Sequence, residues 1–238
     1  GVVNFVPGPG PEVGEYLVKH PRIHFIAFTG SRAVGCRINV LASEVREGQE
    51  HLKRVIAELG GKNAIIIDAD ADLDDAVLGT VASAFGYQGQ KCSAASRAIV
   101  VGKNPDEFVR RLVEAARSVQ IGMPEDPGSF MGPVIDERAF RNIHRAIEAG
   151  KQVARLALET DVSHLGDGYF IGPTIFTDVP PDSPLAQEEI FGPVLAVMKA
   201  RDFDEALRLA NGTTYALTGG VYSRSPEHLE QARREFRV

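Results

Sequence analysis

The chain has 238 residues, 44% hydrophobic and 24% charged, which suits one large soluble domain or one domain plus part of another. Its net charge of −6 argues against nucleic acid or an anionic membrane surface as main partner. No run is long and apolar enough to span a bilayer, the start Gly1-Val2-Val3-Asn4 lacks the basic segment of a secretory signal, and two cysteines make neither a disulfide scaffold nor a zinc site, so a reducing cytoplasm and no metal are expected.

In chain order, residues 2–6 read as a short apolar strand, broken by Pro7-Gly8-Pro9-Gly10-Pro11. A helix is expected over 12–20 and a strand over 24–29, ending at Gly30. Ser31 is suited to cap a helix over 32–45, and a third strand follows over 53–59. Gly60-Gly61 interrupts the pattern and is the expected seam, dividing residues 1–61 from 62–238. Beyond it, a strand over 64–68 leads through an Asp-rich segment into a helix over 73–85, and a loop over 86–95 carries Cys92. A strand over 97–101 and helices over 105–119 and 137–150 come next. Strands near 153–158, 169–176 and 194–198, a helix over 202–211, a strand over 217–222 and a helix over 226–236 complete the pattern. Strands alternating with helices on short connections predict an α/β fold with a largely parallel sheet. With no initiator Met and an apolar opening, the sequence reads as an internal piece of a longer protein.

Four segments can carry chemistry. In Phe28-Thr29-Gly30-Ser31-Arg32-Ala33-Val34-Gly35 a strand ends, a glycine turns the chain and a helix begins, so backbone N–H groups and the helix dipole favour an anion there; from the residues alone a merely capped helix is the simpler reading. In Gly89-Gln90-Lys91-Cys92-Ser93-Ala94 a cysteine sits in a glycine-flanked loop beside a lysine, a setting for an exposed thiolate nucleophile, with a small packed residue as the alternative. Cys36, on the apolar face of its helix, reads as packing. Glu58 ends an apolar strand before two glycines, where it can act as a general base or simply be a solvated charge. In Gln187-Glu188-Glu189-Ile190-Phe191-Gly192-Pro193-Val194, one acid can hold a ribose diol, or the segment is a polar loop.

Phe-Thr-Gly-Ser, Glu-Leu-Gly-Gly-Lys, Gly-Gln-Lys-Cys and Glu-Glu-Ile-Phe-Gly-Pro-Val, in that order and spread over the whole chain, resemble the aldehyde dehydrogenase superfamily. The resemblance implies part of a Rossmann-like NAD-binding domain over 1–61 and most of an α/β catalytic domain over 62–238. It implies NAD as cofactor, with NADP as the alternative, held by Thr29, Gly30, Ser31, Gly35, Leu59, Gly60, Glu189 and Phe191, the pyrophosphate near Gly30 and Ser31 and the nicotinamide ribose on Glu189. It makes Cys92 the nucleophile and Glu58 the base. The segments 87–97, 48–54 and 217–224 are most similar to the 1-pyrroline-5-carboxylate dehydrogenases, which oxidise glutamate γ-semialdehyde to glutamate in proline degradation; there Lys91 and Ser93 would line the pocket for the substrate's amino-acid end. The partner is then a small aldehyde, with a homo-oligomer expected of the full-length protein. The family's oxyanion Asn, its adenosine-ribose Lys and its aldehyde anchor loop are expected outside this chain. Another aldehyde substrate, a folded but inactive structural chain, and a cofactor-free thiol enzyme or redox sensor are the competing readings; the Gly30 and Glu189 motifs argue against the last.

Overall fold

Two short runs of apolar and β-branched residues, β1 (Phe25–Thr29) and β2 (Arg54–Glu58), pair in parallel with Thr29 opposite Glu58. They belong to the first of two units, Gly1–Gly60 and Gly61–Val238, in a computed structural model that describes residues 1–102 and 105–238. A π-turn over Gly10–Gly14 leads into α1 (Glu15–Lys19), so the helix expected over 12–20 starts later, after the glycine–proline run. The crossover between the strands is α2 (Arg32–Ser43), capped by Ser31.

Two expectations fail in this unit. Residues 2–6 are exposed and not a strand: they pair with neither outer edge of the β1–β2 sheet, so their backbone groups gain no ladder hydrogen bonds. Cys36 is exposed rather than packed. The buried positions of α2 are Gly35 and Ala42, seven residues apart on one face, and one step along a helix turns Cys36 about 100° away from them. Gly35 lies against Leu59, whose methyl groups occupy the place a side chain would need.

The second unit is a six-stranded sheet ordered β5-β6-β7-β4-β3-β8. Its strands are β3 (Ala64–Ile67), β4 (Arg97–Val101), β5 (Arg155–Glu159), β6 (Thr174–Thr177), β7 (Val194–Ala200) and β8 (Gly219–Tyr222). All neighbours run parallel except β5 and β6. The helices are α3 (Leu73–Phe85), α4 (Pro105–Arg117), α5 (Glu137–Gly150), α6 (Pro184–Gln187), α7 (Phe203–Asn211) and α8 (Pro226–Glu235). The short α6 escapes a periodicity reading because a single turn shows no period.

Central strands β3 and β4 are buried along their whole length, as parallel strands covered on both faces should be. Alternate residues divide between two cores. Ile66, Ile99, Ala196 and Met198 pack with Ile143, Ile147 and Leu207 from α5 and α7. Ile65, Ile67, Val100 and Val197 pack with Val77, Phe85, Phe108 and Leu112 from α3 and α4. Aspartates start the helices: Asp72 Oδ1 accepts from Asp74 N, Asp136 from Ala139 N and Asp202 from Glu205 N.

The edge strand β8 is tied to β3 by a buried carboxylate. Asp68 accepts from Ala69 N at 2.8 Å and Ser223 Oγ at 2.6 Å, and His228 Nδ1 lies 2.6 Å from the same Oδ2. Burial pushes this carboxyl up, but the hydrogen bonds from Ser223, His228 and Ala69 outweigh it and hold it below the ordinary value. A carboxylate with a lowered folded pKa stabilises the protein above its unfolded value near 4, and that contribution fades on acidification. Asp68→Ala, which takes this partner from His228 and leaves Ser223 Oγ only Asp70, should therefore cost about 1–3 kcal/mol at pH 7. Urea unfolding should show the gap from wild type closing as the pH falls below about 4.

Candidate active site

In the first unit, the expected cofactor residues gather where β1 and β2 end. Gly30 N donates to Glu58 O at 3.1 Å, and Ser31 Oγ accepts from Val34 N at a long 3.4 Å. Thr29, Gly30, Ser31, Glu58 and Leu59 thus share one end of a parallel pair, with the N-terminus of the twelve-residue α2 beside them. The carboxyl ends of parallel strands are where such sheets take ligands, and a helix start favours an anion. The Glu58 side chain is exposed.

In the second unit, Cys92 is a free, exposed thiol between α3 and β4. Lys91 and Ser93 beside it are exposed too, and Lys91 Nζ sits over the Tyr87 ring, 5.4 Å from its centroid. The loop leading to Cys92 is bent sharply. Tyr87 and Gln88 both have positive φ, at 54° and 57°, a region that costs an L-residue about 1–2 kcal/mol. Gly89 follows at φ 64° and packs so closely on the Gly192 carbonyl that a Cβ has no room. Across that contact stands Phe191, also at positive φ, 57°. Three of the four non-glycine residues with positive φ among the described residues therefore flank one loop-on-loop contact. Strain collected this way is common at functional sites.

Gly61 joins the two loops. Its N–H donates to Glu189 Oε1 at 3.0 Å. A Cβ placed on it would stand 2.8 Å from the Cys92 carbonyl oxygen, so only glycine fits. Glu189 and Cys92 therefore meet the same residue from two sides. Glu189 is half-buried, and its Oε2 has no hydrogen-bond partner among the described residues. The long spacing between the motifs hides this convergence in the sequence.

Two cations that the motif reading left without a role lie behind Gly61. Arg97 is buried at the start of β4 and donates to Lys62 O at 2.9 Å, Leu209 O at 2.8 Å and Ala210 O at 2.7 Å, closing the end of α7. Burial lowers its pKa to about 10. Lys62 is 2% exposed, and its Nζ has no hydrogen-bond partner among the described residues. Desolvation, then the nearby Arg97 charge, lowers its pKa to about 7, partly opposed by Glu189 and Glu188. The signal was available: a charged residue two positions before a buried apolar strand must be buried or turn aside.

Lys62 makes stability depend on pH. From about pH 7 to about 10.5 the unfolded chain holds a proton here that the folded chain does not, so the site's contribution to stability rises with pH across that window. Lys62→Met removes the buried charge while keeping the length. It should raise the thermal midpoint at pH 6 and flatten the rise between pH 7 and 10. A lower midpoint at pH 6 would show instead that attraction to Glu189 and Glu188 outweighs desolvation.

The aldehyde dehydrogenase family model matches residues 1–238. The chain is 55% identical over 240 residues to the 1-pyrroline-5-carboxylate dehydrogenase of Geobacillus thermodenitrificans, covering 100% of this chain and 46% of that protein. To the enzyme of that name from Bacillus subtilis it is 51% identical, with the same coverage. Among solved structures, it superposes on 1-pyrroline-5-carboxylate dehydrogenase from Thermus with bound NAD, with a TM-score of 0.94 and 51% identity over 99% of this chain and 45% of that one. Proline utilization A from Bdellovibrio bacteriovorus gives a TM-score of 0.97 at 54% identity, over 100% of this chain and 25% of that one. The chain spans about half the length of the dehydrogenases it matches. With a family match from end to end and a shared fold at such identity, the chain belongs to the aldehyde dehydrogenase family.

Proposed function

We propose that the protein carrying this chain is an NAD-dependent dehydrogenase that oxidises L-glutamate γ-semialdehyde, the open form of 1-pyrroline-5-carboxylate, to L-glutamate. The observation that carries the reading is the junction at Gly61, where the main-chain carbonyl of Cys92, whose thiol is exposed, and a half-buried carboxylate from another loop meet one backbone position. The relatives named for this activity, and the NAD bound to the Thermus enzyme, support the substrate and cofactor. NADP is the alternative cofactor.

The residues present fit a dinucleotide in two respects. The α2 start, with Gly30 and Ser31, suits an anionic pyrophosphate. Glu189 has a carboxylate oxygen left over to accept from a ribose hydroxyl. In this reading residues 1–61 are the nucleotide-binding part and 62–238 the catalytic part, and the full-length protein forms a homo-oligomer. Thr29, Gly35, Leu59 and Gly60 shape the first cofactor surface, and Phe191 packs near the ribose on Glu189.

Cys92 Sγ adds to the aldehyde carbon, and the Cys92 N–H donates to the resulting oxyanion. Bound NAD supplies the acceptor for the hydride this adduct sheds. A thioester is left on Cys92. Glu58 takes a proton from the water that releases the acid. The Lys91 cation and the Ser93 hydroxyl meet the carboxylate of the zwitterionic substrate.

Stopped-flow NADH formation with glutamate γ-semialdehyde tests this in the intact protein. Cys92→Ser should abolish the signal while leaving NAD binding in place. Glu58→Gln should keep a first turnover and slow the release that follows. Steady turnover in Cys92→Ser would overturn the nucleophile. Oxidation of simple aliphatic aldehydes alone would keep the chemistry and overturn the substrate.

A further inference from the structure

We infer that Asn63 is a positioning residue for the nucleophile: its side-chain amide fixes the Cys92 peptide, and through it the direction in which the thiol is presented. The inference rests on the reading of Cys92 as nucleophile.

Asn63 directly precedes β3 and is 6% exposed. Its Nδ2 donates to Cys92 O at 2.7 Å and to Ala94 O at 2.8 Å. Its Oδ1 accepts from Thr218 N at 3.3 Å. Its main-chain carbonyl accepts from Ser96 N at 3.1 Å and Arg97 N at 3.0 Å, extending the β3–β4 ladder backwards by one residue. The side chain therefore spends both amide hydrogens on the nucleophile loop and its oxygen on the segment before β8. A buried amide with both donors and its oxygen in use is held hard, since losing a partner strands a polar group.

The consequence for Cys92 follows from peptide geometry. In a planar trans peptide the Cys92 carbonyl and the Ser93 N–H point in opposite directions. Holding the carbonyl on Asn63 therefore aims the Ser93 N–H the other way and removes a rotation that would carry the thiol with it. Gly61 makes room for this pair, because a Cβ there would stand 2.5 Å from Asn63 Oδ1 and 2.8 Å from the Cys92 carbonyl oxygen. Asn63, Ser93 and Thr218 also line one cavity of about 320 Å³, together with Ser83, Gly219 and Tyr222. Asn63 thus ties the loop carrying Ser93 to Thr218, two walls of that cavity. Packing alone would ask for an apolar residue here, as the four residues that follow are Ala64, Ile65, Ile66 and Ile67.

A positioning role predicts a particular split. Aldehyde addition needs the thiol in one orientation, whereas a small alkylating reagent can approach an exposed thiol from many. The test is made in the intact protein, with alkylation of Cys92 read by mapping its own peptide. Asn63→Asp keeps the shape and removes the donors; Asn63→Ala removes both. Each should lower kcat by at least about tenfold, since misplacing a reacting group by about 1 Å can cost a hundredfold. KM for NAD and the rate of iodoacetamide capture at Cys92 should stay within about twofold. Asn63→Ser, which retains one donor, should recover part of kcat and carries the test if Asn63→Ala does not fold. An Asn63→Asp variant with the parent's kcat would overturn the inference, as would kcat falling only in step with the folded fraction. Failure of the nucleophile reading itself shows separately, as turnover persisting in Cys92→Ser.

Discussion

The approach of the Cys92 carbonyl to the backbone of Gly61 is the constraint on which the second unit's site depends. It exists because β3 and β4 are neighbours in register, Ala64 opposite Arg97, so the residue run before β3 lies against the loop that feeds β4. That run must be small at Gly61, where the carbonyl sits, and a hydrogen-bond donor at Asn63, where two loop carbonyls need partners. The same Gly61 offers its N–H to Glu189, on the turn that feeds β7. Because β7 is the neighbour of β4 on the other side, three adjacent strands deliver three segments to one end of the sheet. These are the amino ends of the three strands, not the carboxyl ends where open parallel sheets usually take ligands; here the ladder sets the spacing and the segments entering the strands supply the chemistry.

The buried cations behind Gly61 show how the arrangement is held. Arg97 spends its donors on three main-chain carbonyls, two of them at the end of α7 and one on Lys62. A guanidinium's fixed fork suits that task, and its satisfied hydrogen bonds offset the cost of burial. Lys62 has no such compensation, so its charge is what burial acts on. The strained residues Tyr87, Gln88 and Phe191 belong to the same economy of packing. They hold unfavourable backbone angles because Gly89 and Gly192 meet between their loops.

Much of this was legible in the sequence, for identifiable reasons. Helices α3 and α5 were read to the residue, and a capping aspartate, Asp72 or Asp136, marks the start of each. The alternation of strands and helices, and the glycine pair where the chain divides, pointed to a parallel α/β sheet. Residues 2–6 misled because apolar composition says nothing about whether a partner strand is present. Cys36 misled because one position along a helix decides which face a residue takes. The motif residues were found individually, but the convergence of Cys92 and Glu189 on Gly61 spans about 130 residues of chain and leaves no local trace. Asn63 was missed for the same reason. Its partners at Cys92, Ala94 and Thr218 lie 29, 31 and 155 residues away.

The central claim is that Cys92 carries the substrate covalently, and peptide mapping of the quenched enzyme tests it most directly. The intact protein is mixed with NAD and glutamate γ-semialdehyde, stopped in acid within the first turnover, digested and weighed. The account predicts an acyl mass on the peptide containing Cys92 and none on the peptide containing Cys36. Turnover proceeding with no adduct on the Cys92 peptide, or with the adduct on Cys36, would contradict it.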